Sequence, residues 1–391
     1  MSSGALSTKR LAHMHDVLTR YVERGDVPGY VALVSRHGAV HVDCNGYERD
    51  TIFRIASMTK PIAAAAAMIL VEEGVIRLED QVDRFLPELA EMRVLRSIES
   101  PVEDTVPAVR PITVRDVLTF TLGTGMVIAQ PGTYPIQDAL QRSRFDEGIG
   151  RKPAPDEYLR RLTSVPLVHQ PGDVWMYNTG SDILGLLISR AANQPFGVFL
   201  RERIFDRIGM RDTGFWVADE KADRLPPAYA PDMDSGGLKL EDDGPGGLFR
   251  HPPAFESGSG GLVATIDDFL LFAGMLLDRG ASDGGRILAR PTVEAMTADQ
   301  LPAEVKARTP WTPGWFANHS WGFGVGVVTR RFDGTSTPGA YGWSGGYGTT
   351  WRSDPAEDMV AILMTQVSMI SAEGPQIYHD FMTLAYAAID D

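Results

Sequence analysis

The stretch Phe53-Arg54-Ile55-Ala56-Ser57-Met58-Thr59-Lys60-Pro61 runs straight into Ile62-Ala63-Ala64-Ala65-Ala66-Ala67-Met68-Ile69-Leu70-Val71. The second part is apolar on every side, which predicts a helix buried all round rather than an amphipathic surface helix. Proline fits only near the beginning of a helix, where N–H groups lack partners anyway, so Pro61 places the start close to Ser57. Ser57 and Lys60, three apart, then share one face of the first turn. A serine hydroxyl is a weak nucleophile until a base takes its proton. Lysine can be that base when burial beside a positive helix terminus lowers its pKa by several units. The same terminus aims free N–H groups at an oxyanion developing on an acylated Ser57. Of six lysines only Lys60 has a serine three residues before it, and it alone opens a fully apolar helix. The bland alternative is a capping serine followed by a lysine that reaches out to water.

Working outward, residues 31–35 and 40–43 flank Arg36-His37-Gly38 and predict a β-hairpin. Before them, Leu11, Met14, Leu18, Tyr21 and Val22 recur at helical spacing on an amphipathic surface helix. The middle of the chain is mainly helical, with helices predicted over 113–119, 155–163, 181–192, 196–208 and 265–278. Between them, residues 226–253 are rich in Gly and Pro and predict an irregular stretch. Strand patterns return at 322–329, 349–352 and 359–365, and a helix over 374–389 closes the chain. Strands at both ends and helices between them give an α/β (α+β) chain, with one antiparallel sheet flanked by helices. The expected organisation is a discontinuous sheet domain of 1–77 and 300–391, a mainly helical domain of 78–299, and a site in the cleft between them.

Composition narrows the function. At 43% hydrophobic and 23% charged residues the 391-residue chain is globular in composition. Its net charge of −14 repels phosphate backbones, which argues against a nucleic-acid partner. A single cysteine, Cys44 in a strand-like stretch, excludes an internal disulfide framework and a cysteine metal cluster, and reads as a packed thiol. The eight histidines form no ligand cluster, so neither metal nor organic cofactor is implied. Residues 1–21 lack the continuous apolar core of an export signal. The longest apolar run, 62–71, is about half a membrane span. The expectation is a cytoplasmic chain with no membrane partner; the sequence sets no oligomeric state.

Two further segments carry chemistry. In Gln170-Pro171-Gly172-Asp173-Val174-Trp175-Met176-Tyr177-Asn178-Thr179-Gly180, Tyr177 stands just before a helix. Such a tyrosine is ordinarily a packed aromatic, but beside a lysine it can become a proton shuttle with a depressed pKa. In Tyr341-Gly342-Trp343-Ser344-Gly345-Gly346-Tyr347-Gly348, four glycines let a backbone approach another group closely. This stretch also spells Gly-x-Ser-x-Gly, with Asp358 and His379 following in the order of an α/β-hydrolase triad. That elbow requires a helix after the serine. Gly345 to Trp351 favours strand and loop instead, and only 47 residues follow Ser344.

The three segments, in this order, resemble the class C serine β-lactamases and the penicillin-binding DD-peptidases, and look closest to the family VIII carboxylesterases. Leu118-Thr119-Phe120-Thr121-Leu122-Gly123, residues 204–215 and Gly258-Ser259-Gly260-Gly261-Leu262-Val263-Ala264-Thr265 look like further landmarks, so the resemblance covers nearly the whole chain. It implies the β-lactamase-like fold, Ser57 as the acyl-accepting nucleophile, Lys60 as its base partner and Tyr177 as the proton shuttle. Trp343, Ser344 and Gly345 would match the substrate-facing Lys-Thr-Gly strand. The N–H groups of Ser57 and Gly346 would form the oxyanion hole. There are departures. The family's Tyr-x-Asn puts Thr179 where asparagine is expected, so Thr179 takes that substrate-facing place and no role passes to Asn178. Trp343 replaces a lysine that helps hold a carboxylate, and an apolar indole suits a neutral ester better. Phe120 stands where relatives often have histidine. The implied function is a serine carboxylesterase acting on small, short-chain esters. Acyl transfer to another alcohol, amide hydrolysis or weak β-lactam hydrolysis by the same site, and a non-catalytic scaffold or sensing role, are the alternatives.

Overall fold

A computed structural model describes residues 6–331 and 334–391; the first five residues of the N-terminal stretch lie outside it. Helix α1 (Thr8–Glu23) precedes strands β1 (Tyr30–Arg36) and β2 (Ala39–Asn45), and then come helices α2 (Thr59–Glu72), α3 (Thr179–Ala192) and α4 (Ile266–Leu277). Strands β3 (His319–Trp321), β4 (Gly326–Val328), β5 (Tyr341–Gly345), β6 (Thr349–Asp354) and β7 (Met359–Met364) follow, and helix α5 (Gln376–Ala387) ends the chain. The seven strands form one antiparallel sheet in the order β3-β4-β5-β6-β7-β1-β2. The two ends of the chain meet at its centre, where Val31 lies opposite Met364 and Arg36 opposite Met359.

Alternation explains how both faces of the sheet are covered. Tyr30, Ala32, Val34, Met359, Ala361 and Leu363 point to one face and pack under α1 and α5. Val31, Leu33, Val360, Ile362 and Met364 point to the other, into a core shared with α4, α2 and the middle helices. The β1–β2 turn is His37-Gly38, both at positive φ (49° and 77°), as a two-residue hairpin loop with right-handed strand twist requires.

Helix α2 is buried from Thr59 to Leu70, as its sequence predicts, and a single 3₁₀ turn, Ala56–Met58, leads into it. Two expectations are corrected. Only residues 326–328 of the strand expected at 322–329 are strand (β4); residues 322–325 form the turn from β3, where the chain bends at Gly324 (φ 76°) against the carbonyl of Lys60. The 226–253 stretch holds a small hairpin, Ala228–Pro231 with Leu238–Asp242. It is pinned by the fully buried Arg54, which pairs with Asp242 and donates to the Pro226 carbonyl (2.8 Å) and to Gln366 Oε1 (2.9 Å). Among the described residues no single helix is long and apolar enough to cross a membrane.

Candidate active site

The site is built where β5 ends against the start of α2. A Cβ at Gly345 would stand 2.2 Å from the Ile55 carbonyl oxygen, so only glycine lets the strand come this close. The Thr349 hydroxyl donates to the same carbonyl at 3.2 Å. This contact sets Gly346 beside the Ala56–Met58 turn. Among the described residues neither the Ser57 N–H nor the Gly346 N–H finds an acceptor, which leaves two donors for an oxyanion. Ala56, immediately before Ser57, is held in the left-handed region (φ 44°), a strained conformation for a residue with a Cβ.

Lys60 is completely buried, and its Nζ has three partners: Ser57 Oγ at 2.8 Å, Asn178 Oδ1 at 2.9 Å and the Ser259 carbonyl at 2.6 Å. Ser259 arrives because residues 263–264 pair with Phe53–Arg54, drawing the preceding loop across the first turn of α2. A Cβ at Gly258 would meet the Ser181 carbonyl at 2.2 Å, so this loop can lie flat on the start of α3 only with glycine there. Burial strips water from the ammonium and lowers the Lys60 pKa from 10.5 to about 7; Lys152 adds to the fall, and Asp182 and Asp146 oppose it. Near neutral pH a large share of Lys60 is therefore the free amine. With two hydrogens held by the Asn178 and Ser259 oxygens, its lone pair faces the Ser57 hydroxyl.

Tyr177 lies over this lysine, with Nζ 4.5 Å from its ring centre, and its hydroxyl bonds Ser57 and accepts from Trp343 Nε1 at 2.6 Å. Its pKa moves opposite to the sequence expectation. Burial raises it from 10.0 to about 12, outweighing the hydrogen bonds it shares with Ser57 and Trp343. Tyr177 thus stays a phenol near neutral pH, and of the two groups Lys60 is the one able to accept a proton there. Around it, Phe120 and Trp175 pack against the Tyr177 ring at 5.8 and 5.7 Å, and Phe120 stacks on Trp321 at 4.9 Å, which accounts for a phenyl ring at position 120.

Of the residues singled out from sequence, Ser57, Lys60, Tyr177 and Trp343 meet within hydrogen-bonding reach of one another. Gly345 and Gly346 lie at the strand end beside them. Ser344 is a strand residue whose hydroxyl meets that of Thr350 across the sheet at 2.8 Å, with a turn and not a helix after it. His379 is exposed on α5 and Asp358 pairs instead with His37. No triad forms there. Position 179 is also corrected: Thr179 is buried as the first residue of α3, whereas Asn178, turned by a positive φ of 88°, carries the amide to Lys60. Missed altogether were Asp146, Lys152 and Asp182. The one signal was an acidic residue on the buried face of α3, since a buried carboxylate requires a partner. Beside Tyr177 opens a cavity of about 210 Å³ lined by Met126, Val127, Ile128, Met176 and Trp311, among others. Among the described residues no three His, Cys, Asp or Glu side chains converge to hold a metal ion.

Comparison with known proteins agrees with this architecture. The family model described as Beta-lactamase matches residues 14–371. Protein Rv1367c of Mycobacterium tuberculosis is 38% identical over 324 residues, covering 82% of this chain and 78% of its own length. Esterase EstB of Burkholderia gladioli is 29% identical over 390 residues, covering 93% and 92%. Among solved structures, EstCE1, described as a hydrolase with promiscuous acyltransferase activity, superposes with a TM-score of 0.78 at 24% identity, over 97% of this chain and 99% of that one.

Proposed function

The chain belongs to the Beta-lactamase family and is a serine hydrolase; on that premise we propose that it is a carboxylesterase cutting small, apolar, short-chain esters. Neutral Lys60 takes the Ser57 proton as Oγ attacks the ester carbonyl. The Ser57 and Gly346 N–H groups hold the oxyanion, and the phenol of Tyr177 relays a proton to the leaving alkoxide, so that alcohol departs and an acyl-enzyme remains. Water, deprotonated through the same pair, attacks the acyl carbon and frees the acid.

The observation that carries the ester reading is Trp343. Where a β-lactamase-like site has a cation for a carboxylate, this chain has an indole whose N–H is already committed to Tyr177 at 2.6 Å. The adjoining cavity is mostly apolar, and its Arg308 faces Asp173 at 3.6 Å. It is lined by Tyr177 but not by Ser57, Lys60, Trp343 or Gly346, and its volume of about 210 Å³ matches a group of a few carbons. Because that cavity would also accept an apolar alcohol, transfer of the acyl group to such an acceptor is the second reading.

A panel of p-nitrophenyl esters from acetate to dodecanoate, run with and without added alcohols, tests both. We expect turnover that falls beyond short chains, is lost in Ser57→Ala, and exceeds nitrocefin hydrolysis. Correctly folded wild-type protein with no turnover of any ester, or with nitrocefin as its better substrate, would overturn the carboxylesterase reading. New ester products in the presence of alcohol would favour transfer.

A further inference from the structure

Behind Lys60 lies a second buried lysine that the mechanism above does not use. The Lys152 side chain is 2% exposed and its Nζ bridges Asp146 Oδ1 at 2.6 Å and Asp182 Oδ2 at 2.9 Å. Each carboxylate in turn holds one of the two fixed acceptors of Lys60. Asp146 Oδ2 accepts from Asn178 Nδ2 at 3.2 Å, which turns the amide so that Oδ1 faces Lys60. Asp182 Oδ1 accepts from the Ser259 N–H at 3.2 Å and the Ser257 hydroxyl at 2.6 Å, which fixes the loop whose carbonyl Lys60 meets. We propose that Lys152 is a positioning residue: through its two counter-ions it orients both acceptors of Lys60, and its charge keeps the pair of carboxylates from locking Lys60 in the protonated form.

Charge counting shows why the third ion is needed. Two carboxylates alone beside Lys60 would favour its ammonium, and Coulomb terms are strong in so dry a place. Lys152 cancels one of them. Its own proton is secure, because Asp182 and Asp146 together outweigh the burial that works against it and hold its pKa above the ordinary value. Asp146 is held below the carboxylate range: burial opposes this, but Lys152 outweighs it. The titratable and charged groups facing Lys60 are Tyr177 above it, Asp182 from α3, and Asp146 and Lys152 from the 144–152 loop. Tyr158 lies beyond Lys152, its phenol kept neutral by burial.

The test is the acidic limb of kcat/KM for a p-nitrophenyl ester in Lys152→Met, Asp146→Asn and the double variant. It rests on Lys60 being the base, so the wild type is measured first; a limb near pH 7 is required. In Lys152→Met the limb should move up by about one pH unit or more, and in Asp146→Asn it should move down. The double variant, which has lost one charge of each sign, should return close to the wild type while kcat stays reduced and KM changes little. A limb that stays put in all three, whatever activity is lost, would overturn the proposal while leaving the base assignment intact. A wild type without that limb would instead overturn the base assignment. Should Lys152→Met not fold, the down-shift in Asp146→Asn and its reversal in the double variant decide by themselves.

Discussion

A lysine ammonium has three hydrogens and an amine has two, and the surroundings of Lys60 match this count. The Asn178 and Ser259 oxygens have no hydrogen to give and accept in both states, so only the Ser57 contact changes sense when the proton moves. Activity should therefore need the deprotonated lysine. With its pKa at about 7, kcat/KM should rise with pH through neutrality and level off above it, since Tyr177 at about 12 remains a phenol throughout. A stopped-flow pH series reads this directly; activity that falls as pH climbs through 7 would contradict it. Tyr177→Phe keeps the ring packing but removes the relay, and kcat should fall by about 10²–10⁴-fold with KM little changed. Trp343→Phe removes one hydrogen bond to that phenol, with an expected loss of about fivefold, since a hydrogen bond contributes about 1 kcal/mol.

At the scale of elements, the site depends on two backbones approaching closely. Gly345→Ala would drive a Cβ into the Ile55 carbonyl, so β5 and the turn carrying Ser57 must separate. The expected result is a stability loss of about 1–3 kcal/mol and a fall in kcat of about 10²-fold as the oxyanion donors part. Gly346→Ala is the control: nothing lies within 4 Å of its added Cβ, so urea unfolding should match the wild type. This scale also shows what the sequence could and could not convey. The all-apolar run 62–71 with Pro61 reveals the buried helix, and hence Ser57 and Lys60 on one face, because that information is local. The positive φ of Asn178 is not local. It is imposed where 125–126 press on the carbonyl of Tyr177, with Met126 N–H donating to it at 2.9 Å, so the amide turned up one residue from where the family spacing put it. Lys152 was equally hidden. It sits in a Gly/Pro-containing loop, and only the fold brings it to Asp182.

At the scale of the whole molecule, the chain closes on itself through the β1–β7 pair, and the sheet's centre exists only when residues 30–36 find residues 359–364. A chain ending at residue 300 would keep the Ser57, Tyr177, Asn178 and Ser259 partners of Lys60 yet lack five of the seven strands and α5. That would bare the edge of β1 that β7 pairs with and the part of its face that α5 covers. It should not fold on its own: near-UV circular dichroism should be flat and urea unfolding non-cooperative. A cooperative transition would show that the middle helices form an independent unit. The short apolar, β-branched runs at both ends, 31–35 and 359–364, made this sheet readable from sequence. Of the 322–329 stretch only 326–328 is strand, because Gly322 and Gly324 serve a turn packed against the backbone carbonyls of Met296 and, in α2, Lys60, which the strand pattern did not reveal.

The central claim, that Ser57 is the acyl-accepting nucleophile, is tested most directly by peptide mapping. Protein labelled with a fluorophosphonate, or quenched during turnover of a slow ester, is digested and sequenced by tandem mass spectrometry. The adduct should lie on Ser57, and it should be lost in Ser57→Ala and strongly slowed in Lys60→Met. An adduct on Ser344, or ester turnover that persists in Ser57→Ala, would contradict the account.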